Sequence, residues 1–148
     1  MSTITTFDST VESLLDLLES IQECRTQLPD FQRGWVWDDE RIRNLLISVS
    51  LSYPIGAVMM LQTGNPNVRF ASRPIEGVDN VNQVEPERLI LDGQQRLTAL
   101  FQSLKLKASV ATRDKRDKAI KRFYYIDIDK MLDPNVDREE TIVSVPED

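Results

Sequence analysis

Two segments hold most of the residues able to do chemistry in this 148-residue chain. One runs Asp30-Phe31-Gln32-Arg33-Gly34-Trp35-Val36-Trp37; the other runs Leu89-Ile90-Leu91-Asp92-Gly93-Gln94-Gln95-Arg96-Leu97-Thr98. The second reads as a strand, a tight turn through glycine and the start of a helix. Backbone N–H groups at a helix start attract anions, and Arg96 in the first turn can add a charge-assisted bond to a phosphate. Gly93 lets a ligand approach the backbone closely, and Thr98 offers a hydroxyl if its side faces that ligand. Gly93, Gln94, Gln95, Arg96 and Thr98 are therefore the candidate phosphate-binding set. On this reading Arg96→Ala removes binding with little loss of stability. A carboxylate at Asp92 repels a phosphate unless a cation such as Mg²⁺ bridges them. A purely structural reading stands beside it. Asp92 would be a plain N-cap, Gln95 would complete an Asp-x-x-Gln capping box, and Arg96 would be a surface arginine. Neither a Walker A loop nor the dinucleotide glycine fingerprint is present.

In the first segment Gln32 and Arg33 follow a short extended stretch and can converge on the same ligand, with Trp35 stacking on a base. The structural alternative puts Trp35 in the core and makes Trp37 a hydrophobic staple to Ile42, just ahead of a helix. Other carboxylates are weaker candidates. Glu85, Glu87 and Asp92 read as a solvated loop, and Asp127 and Asp129 alternate at a strand end where a cation could sit. No metal site is assigned.

Composition narrows the chemistry further. There is no histidine, which excludes Ser-His-Asp or Cys-His catalysis and any nuclease with a histidine base within these residues. A single cysteine, Cys24, excludes an intrachain disulfide and a Cys/His zinc site, and is read as packing or surface on a helix. The net charge of −6 and pI near 4.8 argue against a stand-alone nucleic-acid binder. The charge is uneven, however: residues 113–122 (RDKRDKAIKR) hold six bases against two acids. That run is either a solvated face or a patch for nucleic acid or a partner. No apolar stretch approaches the eighteen or so residues that span a bilayer, and the N-terminus lacks a signal-peptide layout, so a cytoplasmic protein without a membrane partner is expected.

At 17.0 kDa the chain is the size of one domain. Val11, Leu14, Leu15 and Leu18 recur at helical spacing behind a Ser9-x-x-Glu12 capping box, which predicts a helix ending near Gln27. A second helix is expected from an Asp38 N-cap, with Ile42, Leu45, Leu46 and Val49 on one face and Tyr53-Pro54 as its stop. Ile55–Gln62 reads as a buried strand, and residues 64–88 as loops with a poor edge strand at Val68–Ala71. Strand Arg88–Leu91 then leads into a helix opening at Gly93 that buries Leu97, Leu100, Phe101 and Leu104. Tyr124–Ile128 and Ile142–Val145 complete the expected strands. An end so close behind a candidate strand is what a fragment of a longer protein would show.

LPDFQRGWVW, then a helix, then YPIGAVMML, then LILDGQQRLTAL resembles the N-terminal domain of GmrSD-type modification-dependent restriction endonucleases, over roughly residues 8–148. The resemblance implies an α+β, ParB/sulfiredoxin-like fold: a small mixed sheet with flanking helices. It also implies nucleotide binding, and NTP hydrolysis with Mg²⁺, that regulates DNA cleavage in a restriction or antiphage system. Asp92, Gln32 and Arg33 would then be catalytic. Cleavage would belong to an HNH-type C-terminal nuclease domain or subunit, which needs histidine. A second function class uses the same cleft as a DNA-recognition or assembly module, with the Arg113–Arg122 run as an added contact. A nicking activity of the ParB-like domain itself is a third. No cysteine lies at the helix-start motif, so sulfinic-acid reduction is not expected.

Overall fold

The computed structural model describes residues 7–67 and 69–148. Its elements run α1 (Leu14–Gln22), β1 (Thr26–Pro29), α2 (Asp39–Ser50), β2 (Met59–Gln62), β3 (Ser72–Arg73), β4 (Arg88–Asp92), α3 (Gln94–Leu100), a π turn (Phe101–Lys105), β5 (Val110–Arg113), β6 (Ala119–Ile126), α4 (Ile128–Leu132), a 3₁₀ turn (Arg138–Glu140) and β7 (Ile142–Pro146). The class is α+β. One sheet has the order β2-β4-β1-β3 and the other β5-β6-β7. In the first, β1 and β4 lie parallel, with Thr26 opposite Arg88 and Gln27 opposite Leu89. Strands β2 and β3 flank them antiparallel. The second sheet is an antiparallel meander.

The core forms where the helices meet these sheets. Leu18 and Ile21 of α1, Ile42, Leu45 and Leu46 of α2, and Leu97 and Leu100 of α3 bury against Leu28 and Ile90. Helix α3 is enclosed on nearly every side, so even Gln94, Gln95 and Thr98 are buried. Helix α2 starts as its sequence dictates: Asp38 accepts from the Arg41 N–H at 2.8 Å, with Asp39 and Glu40 at the positive end of the dipole. No helix among the described residues is long and apolar enough to cross a membrane.

Several local expectations shift for physical reasons. Helix α1 begins at Leu14, not behind Ser9, because Ser13 caps it by accepting from Asp16 N–H at 3.1 Å. Glu12 pairs instead with Arg88 through two contacts of 2.7 and 3.0 Å, and Val11 and Leu15 stay exposed. Cys24 lies just past the helix, buried, with φ 60° in the left-handed region. The stretch from Ile55 is not strand until Met59, since Gly56 turns with φ 95°. Of the edge strand expected at Val68–Ala71, Val68 lies outside the described residues; the observed pairing with β1 falls at Ser72–Arg73. Leu104 is 52% exposed because the π turn holds an extra residue and rotates it out of the apolar stripe. The Tyr124–Ile128 strand starts earlier and stops earlier, at Ala119 and Ile126, because Asp127 caps α4 by accepting from Lys130 N–H at 3.1 Å.

Candidate functional site

Because β1 and β4 are parallel neighbours, the loops leaving their carboxyl ends must emerge side by side. Crevices outside the carboxyl ends of parallel strands are the usual ligand sites of such sheets. The two segments singled out in the sequence are those two loops. They wall a cleft of about 210 Å³ lined by Gln32, Arg33, Trp37, Leu91, Asp92, Gly93, Gln94, Gln95 and Arg96.

Three glutamines hold the cleft's shape. Gln32 donates from Nε2 to the Leu91 carbonyl at 2.8 Å, tying the first loop to the end of β4. Gln94 donates to the Arg33 carbonyl, and Gln95 to the Gly34 carbonyl at 3.0 Å. Gln95 also accepts from the Val36 N–H at 3.0 Å through Oε1. Arg73 and Glu76 support the loop from the far side: Arg73 donates to the Gln32 and Arg33 carbonyls, and Glu76 accepts from the Trp35 N–H at 3.1 Å. The nine-residue irregular stretch between β1 and α2 is thereby fixed.

The turn itself answers the choice between a cap and a ligand site. Asp92 is not the N-cap. Gly93 occupies that position with φ 89°, and no side chain caps the helix. Gln95 is committed to the first loop, so the Asp92–Gln95 capping box does not form. A Cβ on Gly93 would lie 3.1 Å from Val58 Cγ2 and 3.3 Å from Arg96 Nη2, tighter than ordinary contact, on a backbone at φ 89° that side chains rarely adopt.

Arg96 differs from both expectations. It is neither a loose surface arginine nor a cation free to embrace a phosphate. Its guanidinium donates to the Ile55 carbonyl and, at 2.8 Å, to the Ala57 carbonyl. A Cβ on Gly56 would collide with Nη1. Arg96 thus clamps the 55–58 loop to the helix start while one edge still faces the cleft.

Two expected contacts fall outside the cleft lining. Thr98 is fully buried, with its hydroxyl inside the protein. Trp35 packs against the core and donates its indole N–H to the Ala111 carbonyl at 2.6 Å, and it is not among the residues lining the cleft. Its neighbour Trp37, assigned above to the staple, does pack against the core that contains Ile42, and it also lines the cleft. That residue and the bracing pair Arg73–Glu76 were missed; only the long 64–88 excursion hinted that the loop had work there.

With the others pinned, two charged side chains remain uncommitted. Arg33 and Asp92 are exposed, and neither makes a side-chain hydrogen bond or ion pair among the described residues. They flank one polar cleft without closing on each other. The basic run, by contrast, is partly neutralised within the fold and none of its residues lines this cleft: Arg113 meets Asp117 at 2.9 Å, Lys121 meets Glu147 at 3.2 Å and Lys115 meets Glu40 at 3.7 Å. Among the described residues no group of three or more His, Cys, Asp or Glu side chains could hold a metal.

Over 130 residues the chain is 31% identical to the uncharacterized protein MJ0686 of Methanocaldococcus jannaschii, an alignment taking in 85% of this chain and 22% of that protein. The chain thus spans about a fifth of the length of the curated relative it matches. Residues 14–144, which include both cleft loops, match the family described as GmrSD restriction endonuclease, N-terminal domain, and the chain belongs to that family.

Proposed function

We propose that this restriction-system module binds the polyphosphate of a nucleoside triphosphate in the cleft between the two loops. The observation that carries the reading is the pair of uncommitted opposite charges, Arg33 and Asp92, on a polar cleft whose other side chains are held in place. Arg33 has the free guanidinium that a phosphate requires. The backbone of Gly93 to Gln95 carries no side-chain cap and adds N–H donors beside it. Arg96 positions the turn and adds field more than direct contact.

Asp92 fits a magnesium ion in the manner usual for nucleotide sites, where one or two carboxylates and the substrate's own phosphates share the ion. That ion would neutralise phosphate charge. Gln32 keeps Oε1 available after its Nε2 is bound to Leu91, so it is the group to orient a water in hydrolysis. A volume of about 210 Å³ admits the phosphates, with ribose and base lying beyond the cleft. DNA cleavage in the complete system is assigned to another domain or subunit, since this chain has no histidine for HNH-type chemistry.

Calorimetric titration of ATP, GTP, CTP and UTP, with and without Mg²⁺, tests the proposal on the wild type, Arg33→Gln and Asp92→Asn. Saturable binding is expected, weakened about tenfold or more by Arg33→Gln. Asp92→Asn should remove the Mg²⁺ dependence. No binding of any of the four by a folded sample would overturn the assignment.

A further inference from the structure

The first loop carries both tryptophans of the chain, and the fold treats their indole N–H groups differently. Trp35 donates its N–H to the Ala111 carbonyl at 2.6 Å and stays out of the cleft wall. Trp37 lines the cleft, and its N–H makes no hydrogen bond among the described residues. Nor is that N–H sealed inside the protein. The buried side-chain atoms left without a partner are Glu76 Oε2, Thr98 Oγ1, Gln102 Oε1 and Arg122 Nε, and the Trp37 nitrogen is not one of them. Tryptophan placed at the margin of a core normally finds a partner for this donor.

The Trp37 ring is held in place. It packs against the core, and it lies 6.5 Å from the Trp35 ring at a tilt of 33°. Thr112 Oγ1 donates to the Trp37 carbonyl at 2.7 Å, which fixes the backbone that carries the ring. The next residue, Asp38, is committed to capping α2. Trp37 is thus a preorganised donor on the wall of a polar cleft.

An indole N–H donates and never accepts, and a guanidinium has the same one-way requirement. Arg33 and Trp37 leave the same loop, line the same cleft and both lack a partner among the described residues, so together they ask for a ligand atom that only accepts. Resting on the polyphosphate reading above, we propose that Trp37 is a substrate-contacting residue whose indole N–H binds a phosphate oxygen beside Arg33. The ligand class this selects is the polyphosphate itself. Inorganic tripolyphosphate then serves as well as a nucleoside triphosphate, because neither donor calls on ribose or base.

The test is a proton–nitrogen correlation NMR titration of the 148-residue chain with tripolyphosphate and, separately, ATP, each with Mg²⁺. Two tryptophans give two indole signals, which Trp37→Phe assigns. The Trp37 indole proton is expected to move downfield saturably with either ligand and to exchange more slowly with water. The Trp35 indole, already bonded to Ala111, should stay where it is. Trp37→Phe keeps a ring against the core but removes the donor, and should weaken both ligands about tenfold. Saturable shifts in the amides of residues 92–96 with a stationary Trp37 indole would overturn this inference and leave the cleft proposal standing. Unchanged affinity in Trp37→Phe, or ATP binding where tripolyphosphate does not, would do the same. No saturable shift anywhere in a folded sample would overturn both.

Discussion

Arg96 shows how a residue with a plausible ligand role can be committed to architecture first. Its guanidinium bridges two carbonyls of the 55–58 loop, so truncation leaves those acceptors unpaired and opens a gap beside Gly56. Arg96→Ala is expected to cost about 1–3 kcal/mol in stability, read from the urea midpoint at unchanged slope. An unshifted midpoint would return Arg96 to the status of a free ligand-binding cation. Gly56→Ala attacks the same clamp from the other side. A Cβ there meets the guanidinium, on a backbone at φ 95° that side chains rarely adopt, so a loss of about 2 kcal/mol or more is expected. Cys24 offers a quieter check. Burial pushes its thiol above the usual range, so it should resist alkylation in the native state and react only on unfolding.

Elements were legible from sequence where their determinants are local. Helix α2 follows its pattern closely, because an Asp38 cap, an acidic first turn and an apolar stripe all act within twelve residues. Helix α1 shows the limit. Two serines compete to start it, and the winner depends on Glu12 being drawn away to Arg88, 76 positions along the chain. Ser13→Ala should therefore lower stability by about 1 kcal/mol, whereas Ser9→Ala should be silent in the same chemical denaturation. Equal effects would mean that the helix starts at the earlier cap. The cleft divides the same way. The Gly93 turn and the Gln32–Arg33 pair were visible as unusual residue types at a strand end. That Gln95 would bond across to Gly34 and Val36, 61 and 59 positions away, was not, because it requires the parallel β1–β4 pairing that no local signal encodes. Thr98 and Trp35 were misplaced for a related reason: polar or aromatic character says nothing about which face of an enclosed helix or loop it will occupy.

At the scale of the whole molecule, α2 ties the second sheet to the core that holds the cleft. Asp39 accepts from Tyr124 at 2.7 Å on β6 and from Ser144 at 2.6 Å on β7, while Arg43, one turn on, donates to the Ile142 carbonyl at 2.8 Å. The latch has a pH signature. Burial first, and then the hydrogen bond to the Asp39 carboxylate, raise the Tyr124 hydroxyl well above its ordinary value. A tyrosine in the unfolded chain ionises near pH 10. Below that pH both states hold the proton and the latch contributes fully; above it only the unfolded state releases the proton, so stability must fall as pH rises. The acid side runs in the opposite sense. Asp114 is lowered by the backbone N–H groups of Lys118 and Arg116 that it accepts, and Glu147 by Ser109 and Lys121. Their contribution is present above the ordinary carboxylate range and is lost as pH falls through it, but both are exposed and the effect is small. Stability measured from pH 3 to 11 should accordingly decline more steeply at the alkaline end than these two acids account for at the other. Tyr124→Phe should flatten the alkaline decline, and Asp39→Asn should reduce it only in part, because burial is the larger cause. An alkaline decline of the same steepness in Tyr124→Phe would show that the second sheet is held to α2 by something other than this hydroxyl.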